Sequence, residues 1–456
     1  MTEQMQRVDA WIDAHTDELV EAAARLIRIG SAEQPAAGDH PFGDGVAAAL
    51  DEALAIAAQW GLVTRNYDYY AGTAQIGEGT PRLGILCHLD TVPVGEGWTL
   101  PPLGGEVRDG RLFGRGAIDD KGPAAAALFA LRALRECGVT LNAPCRCVLG
   151  CDEETNQCDM AYYGEREGFP PLLFCPDGEY PVINTEKGRV RPILRAACPD
   201  ERLLWAEGGV AVNAVPTEAH ALLRGVTREA AHAAGERVGH AVEWEERPEG
   251  ALLTVRGVAA HGSTPEKGEN AVTALLEVLA AMGVGGDAVA AAARHFPFAE
   301  YDGRSAGAAC RDDVSGALSL ALTYLRIEEG AFYGMADVRF PVTKTVAEVE
   351  ALLHAGLSAD FDVTFDGCAE GHHVPEESPF VQTLLRVYEQ QTGQPGDCLA
   401  IGGGTYAHDI PGGVAFGAAF PGVDNHMHGA DEFIGVDELR LNAHLIAHAV
   451  AALCNG

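Results

Sequence analysis

The hydrophobic positions of the chain form two patterns: short apolar runs, and longer alanine-rich segments with helical spacing. Glu3–Ile29 is predicted to open the chain as an amphipathic helix, with Trp11 and Leu26 among its apolar positions. Further along, Cys145–Gly150 predicts a buried strand and Pro123–Cys137 predicts a helix. Strands that alternate with helices predict an α/β fold with a mostly parallel sheet and helices on both faces.

Polar side chains stand where the apolar runs end. The run that begins at Gly84 delivers His88 and Asp90, two residues apart, so both side chains leave the same face of the strand. A metal-binding imidazole usually donates its second N–H to a carboxylate, and this spacing supplies both groups. Parallel sheets bind ligands beyond the carboxyl ends of their strands, so these side chains are expected at one edge. The other polar residues in such motifs are Asp119, Asp120, Glu153, Glu154, Asp177 and, near the C-terminus, His428.

Each of these positions has a simpler interpretation on its own. His88 could be a hydrogen-bonded histidine at a strand end, and Asp119 and Asp120 could form the acidic N-terminus of a helix. Together, however, carboxylate oxygens and two imidazoles suit a pair of zinc, manganese or cobalt ions better than a thiolate site. Two ions about 3.5–4 Å apart need one carboxylate between them and can hold both water and a substrate carbonyl. The combination predicts a two-metal hydrolytic site.

The motifs resemble those of the co-catalytic zinc exopeptidase family that contains dipeptidase V (PepV), carnosinase, succinyl-diaminopimelate desuccinylase and carboxypeptidase G. The resemblance runs from about Trp11 to Leu453 and is strongest to the PepV-like dipeptidases. The segments that carry it are Asp119–Pro123, Pro176-Asp177, Val182–Gly188 and Gly402–Tyr406.

The resemblance implies a role for each candidate ligand. His88 and Asp177 would bind one metal ion, Glu154 and His428 would bind the other, and Asp119 would bridge the two. In relatives, the peptide bond that follows the bridging residue is cis. Zinc is the expected metal, with manganese or cobalt as alternatives.

Three further residues would take part in the chemistry. Asp90 would orient His88, and Glu153 would be the general base that takes a proton from metal-held water and passes it to the leaving amine. Glu153 and Glu154 are expected to diverge, since neighbours in a strand point to opposite faces. His261, in a His-Gly-Ser-Thr-Pro loop, would stabilise developing negative charge on the substrate carbonyl, whereas a histidine alone in a loop is usually only solvated.

The middle of the chain lacks ligand motifs and is predicted to be an inserted α+β lid domain. The lid is expected to span residues 192–384, and the catalytic domain residues 1–191 and 385–456. At about 193 residues the lid exceeds that of dimeric relatives, which use it to dimerise and to share a loop histidine. The resemblance therefore implies a monomer in which His261 acts within its own chain.

Several residues match positions that hold the substrate in the family. Asn213 resembles a substrate-contacting asparagine, and Arg339 resembles the arginine that grips a dipeptide's carboxylate, a task suited to its planar fork. Arg339 could instead be a surface strand arginine paired with Asp337. The glycine run lacks the Gly-Lys-Ser/Thr ending of a phosphate loop, so it predicts backbone donors for the substrate carboxylate and no nucleotide site. The residues concerned are Gly403, Gly404 and Thr405.

Composition limits the possible partners and location. The 456 residues are 47% hydrophobic and carry a net charge of −34, which argues against nucleic-acid binding, because phosphate recognition needs a basic surface. Met1–Asp13 does not resemble a signal peptide, and no apolar run is long enough for a membrane helix. The 12 cysteines include no Cys-x-x-Cys pair and are expected to be reduced thiols in a cytoplasmic protein.

The function predicted from these features is hydrolysis of dipeptides that have free amino and carboxyl termini. In the family that the chain resembles, enzymes that act on substrates with a free amine tend to carry Asp at the position of Asp177. Enzymes that act on acylated substrates tend to carry Glu there. An N-acyl amino acid deacylase or desuccinylase is the alternative enzyme. A catalytically silent peptide-binding protein on the same scaffold is the second alternative.

Overall fold

A computed structural model gives the structure of the protein and describes residues 2–455. Within this range the chain forms eleven α-helices. They are α1 (Glu3–Ala14), α2 (Thr16–Ile27), α3 (Asp44–Gln59), α4 (Lys121–Glu136), α5 (Cys158–Glu167), α6 (Arg228–Val238), α7 (Ala271–Ala281), α8 (Gly286–His295), α9 (Val346–Leu357), α10 (Pro379–Thr392) and α11 (Val436–Asn455).

The strands are mostly short. In the first half of the chain they are β1 (Val63–Tyr67), β2 (Ala71–Ile76), β3 (Leu83–His88), β4 (Glu106–Arg108), β5 (Arg111–Phe113), β6 (Cys145–Gly150), β7 (Leu172–Cys175), β8 (Gly178–Glu179), β9 (Val182–Glu186), β10 (Gly188–Ala197), β11 (Leu203–Gly208) and β12 (Glu218–Leu223). In the second half they are β13 (Glu243–Arg247), β14 (Gly250–Arg256), β15 (Arg311–Asp312), β16 (Gly316–Ala317), β17 (Ser319–Glu328), β18 (Ala331–Phe340), β19 (Asp362–Ala369), β20 (His372–His373), β21 (Cys398–Ile401), β22 (Val414–Ala415), β23 (Ala418–Ala419) and β24 (Phe433–Gly435).

The described chain divides into two compact units. Unit 1 comprises residues 2–184, 373–399 and 404–455, and unit 2 comprises Thr185–His372 and Ala400–Gly403. The boundaries expected from the sequence, after residues 191 and 384, fall inside β10 and α10. β10 continues through Pro192, which has no backbone N–H to donate. The pairing of β10 with β18 skips this residue, so no hydrogen bond from it is needed there. Met1 and Gly456, which the expected ranges include, lie outside the described residues.

Unit 1 is built on a mixed sheet whose strands run in the order β1-β2-β6-β3-β7-β22-β9. The central strands β6, β3, β7 and β22 are parallel to one another, and the flanking pairings are antiparallel. Helices α4 and α11 pack against β3, while α3 and α5 pack against β2. The predicted opening helix is two helices, α1 and α2, because His15 leaves helical geometry and its N–H caps the carbonyls that end α1.

Unit 2 has an antiparallel sheet in the order β13-β14-β12-β11-β17-β18-β10-β19. Helix α7 packs on β12, β14 and β17, and α9 packs on β10 and β19. Asn270 caps α7 by accepting the N–H groups of Val272 and Thr273. The predicted α/β class with an α+β insertion agrees with these two sheets, although the antiparallel strands flanking the first sheet were not foreseen. No helix within residues 2–455 is both long and apolar enough to cross a membrane.

Candidate active site

Three parallel strands of unit 1 end beside one another and carry the first candidate ligands. Strand β3 ends at His88, β6 at Gly150 and β7 at Cys175, and β3 lies between the other two. Every residue of β3 is buried, and Cys87 belongs to the hydrophobic core, as its alternation with His88 requires. The sheet edge therefore presents the imidazole in a setting shielded from water.

The five predicted metal ligands lie together in unit 1. Asp119 stands between the two imidazoles, with Oδ1 2.9 Å from Nε2 of His88 and Oδ2 2.7 Å from Nε2 of His428. Glu154 Oε1 lies 3.3 Å from Nε2 of His428, and Asp177 Oδ2 lies 3.8 Å from Nε2 of His88. A carboxylate that faces a different imidazole with each oxygen has the disposition expected of a bridging ligand.

The electrostatics of this cluster suit divalent cations. Burial lowers the pKa of His428, but hydrogen bonds to Asp119 and Glu154 outweigh it and raise that pKa to about 11. Burial likewise opposes charge on His88, yet its carboxylate neighbours, Asp119 first, raise its pKa well above the ordinary value. Protonated imidazoles thus balance part of the carboxylate charge, and metal ions would balance it in their place. This donor set of imidazole nitrogens and carboxylate oxygens fits zinc, manganese or cobalt.

Glu153 lies close enough to the ligands for two different roles. One of its carboxylate oxygens and ligand atoms of His88 and Asp177 all lie within 4.8 Å of one another. Gln157 donates a hydrogen bond of 2.8 Å to its Oε1. Burial, followed by the charge of Asp177, raises the pKa of Glu153 well above its ordinary value. The position is compatible with a general base and also with a metal ligand.

Glu153 and Glu154 diverge for a reason other than the one expected. They occupy a turn after β6 and not the strand itself, so strand alternation does not separate them. The backbone N–H of Glu154 donates to Asp90 Oδ2 at 3.0 Å, and the N–H of Val92 donates to Glu154 Oε1 at 3.3 Å. These bonds hold Glu154 toward His428.

Asp90 contacts His88 mainly through its backbone. The carbonyl oxygen of Asp90 lies 3.1 Å from Nδ1 of His88, whereas its carboxylate Oδ1 is 3.5 Å away, too long for a good hydrogen bond. Oδ1 is buried and has no hydrogen-bond partner among residues 2–455. The carboxylate positions the turn of Glu154, and its expected role in orienting His88 stays a prediction.

Asp120 follows Asp119, the residue expected to bridge the metal ions. The peptide bond between Asp119 and Asp120 is cis, as expected from the resemblance. Asp120 Oδ2 accepts the backbone N–H of His88 at 3.0 Å, which ties the turn before α4 to the end of β3. Asp120 is therefore a support for His88 in this structure.

A buried ion pair missed by the sequence analysis supports the site. Arg115 Nη1 lies 2.5 Å from Glu432 Oε2, and both side chains are buried. Glu432 Oε1 accepts the N–H groups of Ile118 at 3.0 Å and Asp119 at 3.4 Å. Arg115 Nη2 donates to the carbonyl of His428 at 3.2 Å. Arg115 stands four positions before Asp119 and Glu432 four positions after His428, and their opposite charges were the available signal in the sequence.

A second buried network supports the turn that carries the two glutamates. Asp159 Oδ2 accepts the N–H groups of Cys151 at 2.6 Å and Asp152 at 3.0 Å, together with the hydroxyl of Tyr406. Burial raises the pKa of Asp159 to about 7 despite the hydrogen bond from Tyr406. No ligand motif contains Asp159, so the sequence offered no signal for it.

In unit 2, two predicted substrate residues are neighbours. Asn213 and His261 are exposed, and the N–H of Gly262 donates to the carbonyl of Asn213 at 2.6 Å. Nδ1 of His261 accepts the backbone N–H of Ser263 at 3.2 Å and lies 2.7 Å from its hydroxyl. An accepting Nδ1 places the proton of the neutral ring on Nε2.

Arg339 is paired with Asp337, as the alternative interpretation held, but the pair is buried and not on the surface. Nε and Nη2 of Arg339 donate to the carboxylate of Asp337, at 2.9 Å from Nη2. Nη1 donates to the carbonyl of Gly402 at 2.6 Å. Since a guanidinium has five N–H donors, two remain for other partners.

The glycine run passes from one unit to the other. Gly403 belongs to unit 2, and Gly404 and Thr405 belong to unit 1. Thr405 Oγ1 accepts the N–H of Ala407 and so caps a short 3₁₀-helix, Tyr406–Asp409. Its hydroxyl also lies 3.2 Å from Sγ of Cys175, at the end of β7.

Comparison with known proteins gives consistent matches over most of the chain. A family model described as Peptidase family M20/M25/M40 matches residues 84–452. The Beta-Ala-Xaa dipeptidase of Lactobacillus delbrueckii subsp. lactis is 35% identical over 463 residues, which cover 97% of this chain and 97% of that protein. Human carnosine dipeptidase 1 has a TM-score of 0.61 at 16% identity and covers 99% of both chains. The dipeptidase Dug1p of Saccharomyces cerevisiae has a TM-score of 0.58 at 12% identity, covering 100% of this chain and 99% of that one. The two solved structures confirm the predicted fold class.

Proposed function

Because the chain belongs to Peptidase family M20/M25/M40 and is accordingly a peptide-bond hydrolase, we propose that it is a metal-dependent dipeptidase. Its substrates would be dipeptides with free amino and carboxyl termini. The observation that carries this proposal is the convergence of two imidazoles and three carboxylates, with Asp119 between His88 and His428. The name of the Lactobacillus relative, a Beta-Ala-Xaa dipeptidase, supports the substrate class.

Two divalent ions, zinc as the first choice, would be held by the clustered side chains. His88 and Asp177 would hold one ion, Glu154 and His428 the other, and Asp119 both. When bound, such ions polarise a carbonyl and generate a nucleophilic water at neutral pH. Residues of the protein would carry out proton transfer and substrate binding.

Glu153 would move the proton. Its carboxylate, fixed by Gln157, would take a proton from the attacking water and deliver it to the leaving amine, which departs as a free amino acid. The alternative, that Glu153 is itself a metal ligand, is tested by metal content. Loss of activity with retained metal would assign it to proton transfer.

Residues outside the cluster of candidate metal ligands would hold the substrate. His261 carries the proton of its neutral ring on Nε2, a suitable donor to the carbonyl oxygen as negative charge develops there. Asn213 would contact the substrate beside it. The two N–H groups of Arg339 that Asp337 and Gly402 do not use could bind a carboxylate. The backbone of Gly403, Gly404 and Thr405 would supply further donors.

The proposed enzyme is a monomer of the cytoplasm. The long insertion supports a single-chain arrangement in which His261 serves its own site. The twelve cysteines are all free thiols, a state that a reducing compartment preserves. Light scattering that shows a stable dimer would exclude the monomer.

A substrate panel tests the activity. Metal-reconstituted protein is incubated with several dipeptides and, in parallel, with N-acetyl and N-succinyl amino acids, and released amino acid is measured. Cleavage confined to free-amine dipeptides and abolished by chelation is the expected result. Cleavage of the acylated compounds alone would establish a deacylase, and no cleavage with metal bound would favour a peptide-binding protein.

A further inference from the structure

A cavity of about 570 Å³ opens within unit 2 beside the segments proposed to hold the substrate. Ala400–Gly403 lines one part of it, and Ser263, from the loop of His261, lines another. These two parts approach closely, because a Cβ built at Gly402 would lie 2.7 Å from the Cβ of Ser263. Lys187 lines the same cavity. The volume is within the range of small-molecule sites, about 300–1,000 Å³.

Lys187 has an unusual environment for a lysine in so acidic a protein. It lies between β9 and β10, where its backbone N–H donates to the carbonyl of Ile401 at 2.9 Å and Nζ donates to the carbonyl of Ala317 at 2.5 Å. None of the carboxylates within residues 2–455 forms an ion pair with this ammonium group. Burial lowers the pKa of Lys187, and the charges of Asp312 and Glu266 oppose that shift without cancelling it.

Arg339, the other cation near Gly402, differs from Lys187 because it forms an ion pair. The buried carboxylate of Asp337 lies 2.9 Å from Arg339 Nη2 and balances the charge of the guanidinium. Lys187 makes one hydrogen bond to a neutral carbonyl and keeps two N–H donors. Glu266 and Asp302 also line the cavity, but neither forms an ion pair with Lys187. A half-buried ammonium of this kind is stabilised by an anion entering the cavity.

We propose that Lys187 binds a carboxylate of the substrate's C-terminal residue in this cavity, an inference that rests on the proposed dipeptidase function. The carboxylate is either the α-carboxylate, common to every dipeptide, or the side chain of a C-terminal Asp or Glu. In both cases the positive charge of Lys187 would attract the carboxylate. The positive charge of Arg339 is already paired with Asp337. Lys187 is thus a substrate-binding residue that determines affinity or specificity.

Steady-state kinetics of the metal-loaded enzyme test this proposal. Lys187→Met is compared with the wild type on Ala-Leu, Ala-Gln and Ala-Glu. A hydrogen bond to a charged group contributes enough that its loss should lower kcat/KM by about 10–100-fold, mainly through KM. Lys187→Arg, which keeps the charge, should recover part of the loss. Lys267→Met removes a lysine that does not line the cavity and should leave kcat/KM within about twofold.

The pattern across substrates identifies which carboxylate is bound. An equal loss on all three dipeptides assigns Lys187 to the α-carboxylate, and a loss confined to Ala-Glu assigns it to the side chain. An active wild type with no loss in Lys187→Met on any substrate overturns the proposal and leaves the dipeptidase function standing. If the wild type cleaves no dipeptide, the function fails and this inference falls with it. Should Lys187→Met not fold, Lys187→Gln removes the charge and keeps an N–H donor.

Discussion

Removing Arg115 tests whether the buried pair with Glu432 holds the site together. Arg115 is 2% exposed and Glu432 is fully buried, so Arg115→Met would leave a carboxylate without its partner and away from water. Breaking such a pair by removing one member costs about 3–5 kcal/mol. The carbonyl of His428 would also lose the hydrogen bond it accepts from Arg115. We therefore expect the free energy of unfolding of unit 1 to fall by about 3–5 kcal/mol.

Urea unfolding followed by circular dichroism measures this change, with EDTA present so that altered metal affinity does not contribute. Arg28→Met is the matched control, because the pair of Arg28 with Glu21 is exposed and should contribute about 0–1 kcal/mol. In the double variant Arg115→Met/Glu432→Gln no unpaired buried charge remains, so part of the loss should be recovered. A loss in Arg115→Met no larger than in Arg28→Met would show that the buried pair does not stabilise unit 1.

Two further predictions concern proton transfer and acid stability. Glu153→Gln should keep the metal content of the wild type and lower kcat by about 10²–10⁴-fold, measured by metal analysis beside kinetics, and a loss of one metal ion would make Glu153 a ligand instead. Asp9 accepts hydrogen bonds from His444 at 2.9 Å and His448 at 2.8 Å, which outweigh burial and lower its pKa from 3.8 to about 2. Because a depressed carboxyl pKa stabilises the fold above the unfolded value, about 2–3 kcal/mol should be lost as the pH falls from about 5 to about 1, and Asp9→Asn should lack this component. Parallel stability–pH curves for the wild type and Asp9→Asn would contradict it.

The proximity of the strand-end residues could be expected from the sequence, because it follows a local rule. A buried parallel strand must end at the edge where its neighbours end, so His88, Glu154 and Asp177 converge once the sheet forms. Asp119 and His428 stood in the motifs, but their roles came from the family resemblance and not from any pattern of spacing. Their contact across 309 positions of sequence depends on the packing of distant loops.

The supporting residues could not be predicted because nothing local marks them. Arg115 and Glu432 are 317 positions apart, and only the folded chain shows that they neutralise each other. The turn of Glu153 was misjudged because the end of β6 is set by hydrogen bonds to Asp159, which follows later in the sequence. Lys187 stood inside a recognised motif, but its significance lies in a missing ion pair, which a sequence does not show.

Titration of metal into the metal-free enzyme tests whether the clustered side chains hold two ions that catalysis needs. The protein is stripped with a chelator, dialysed and returned stepwise to zinc, while bound metal and dipeptide hydrolysis are measured together. We expect activity to reach its maximum at two ions per chain and His428→Ala to bind one ion fewer. Full activity at one ion per chain, or without any, would contradict it.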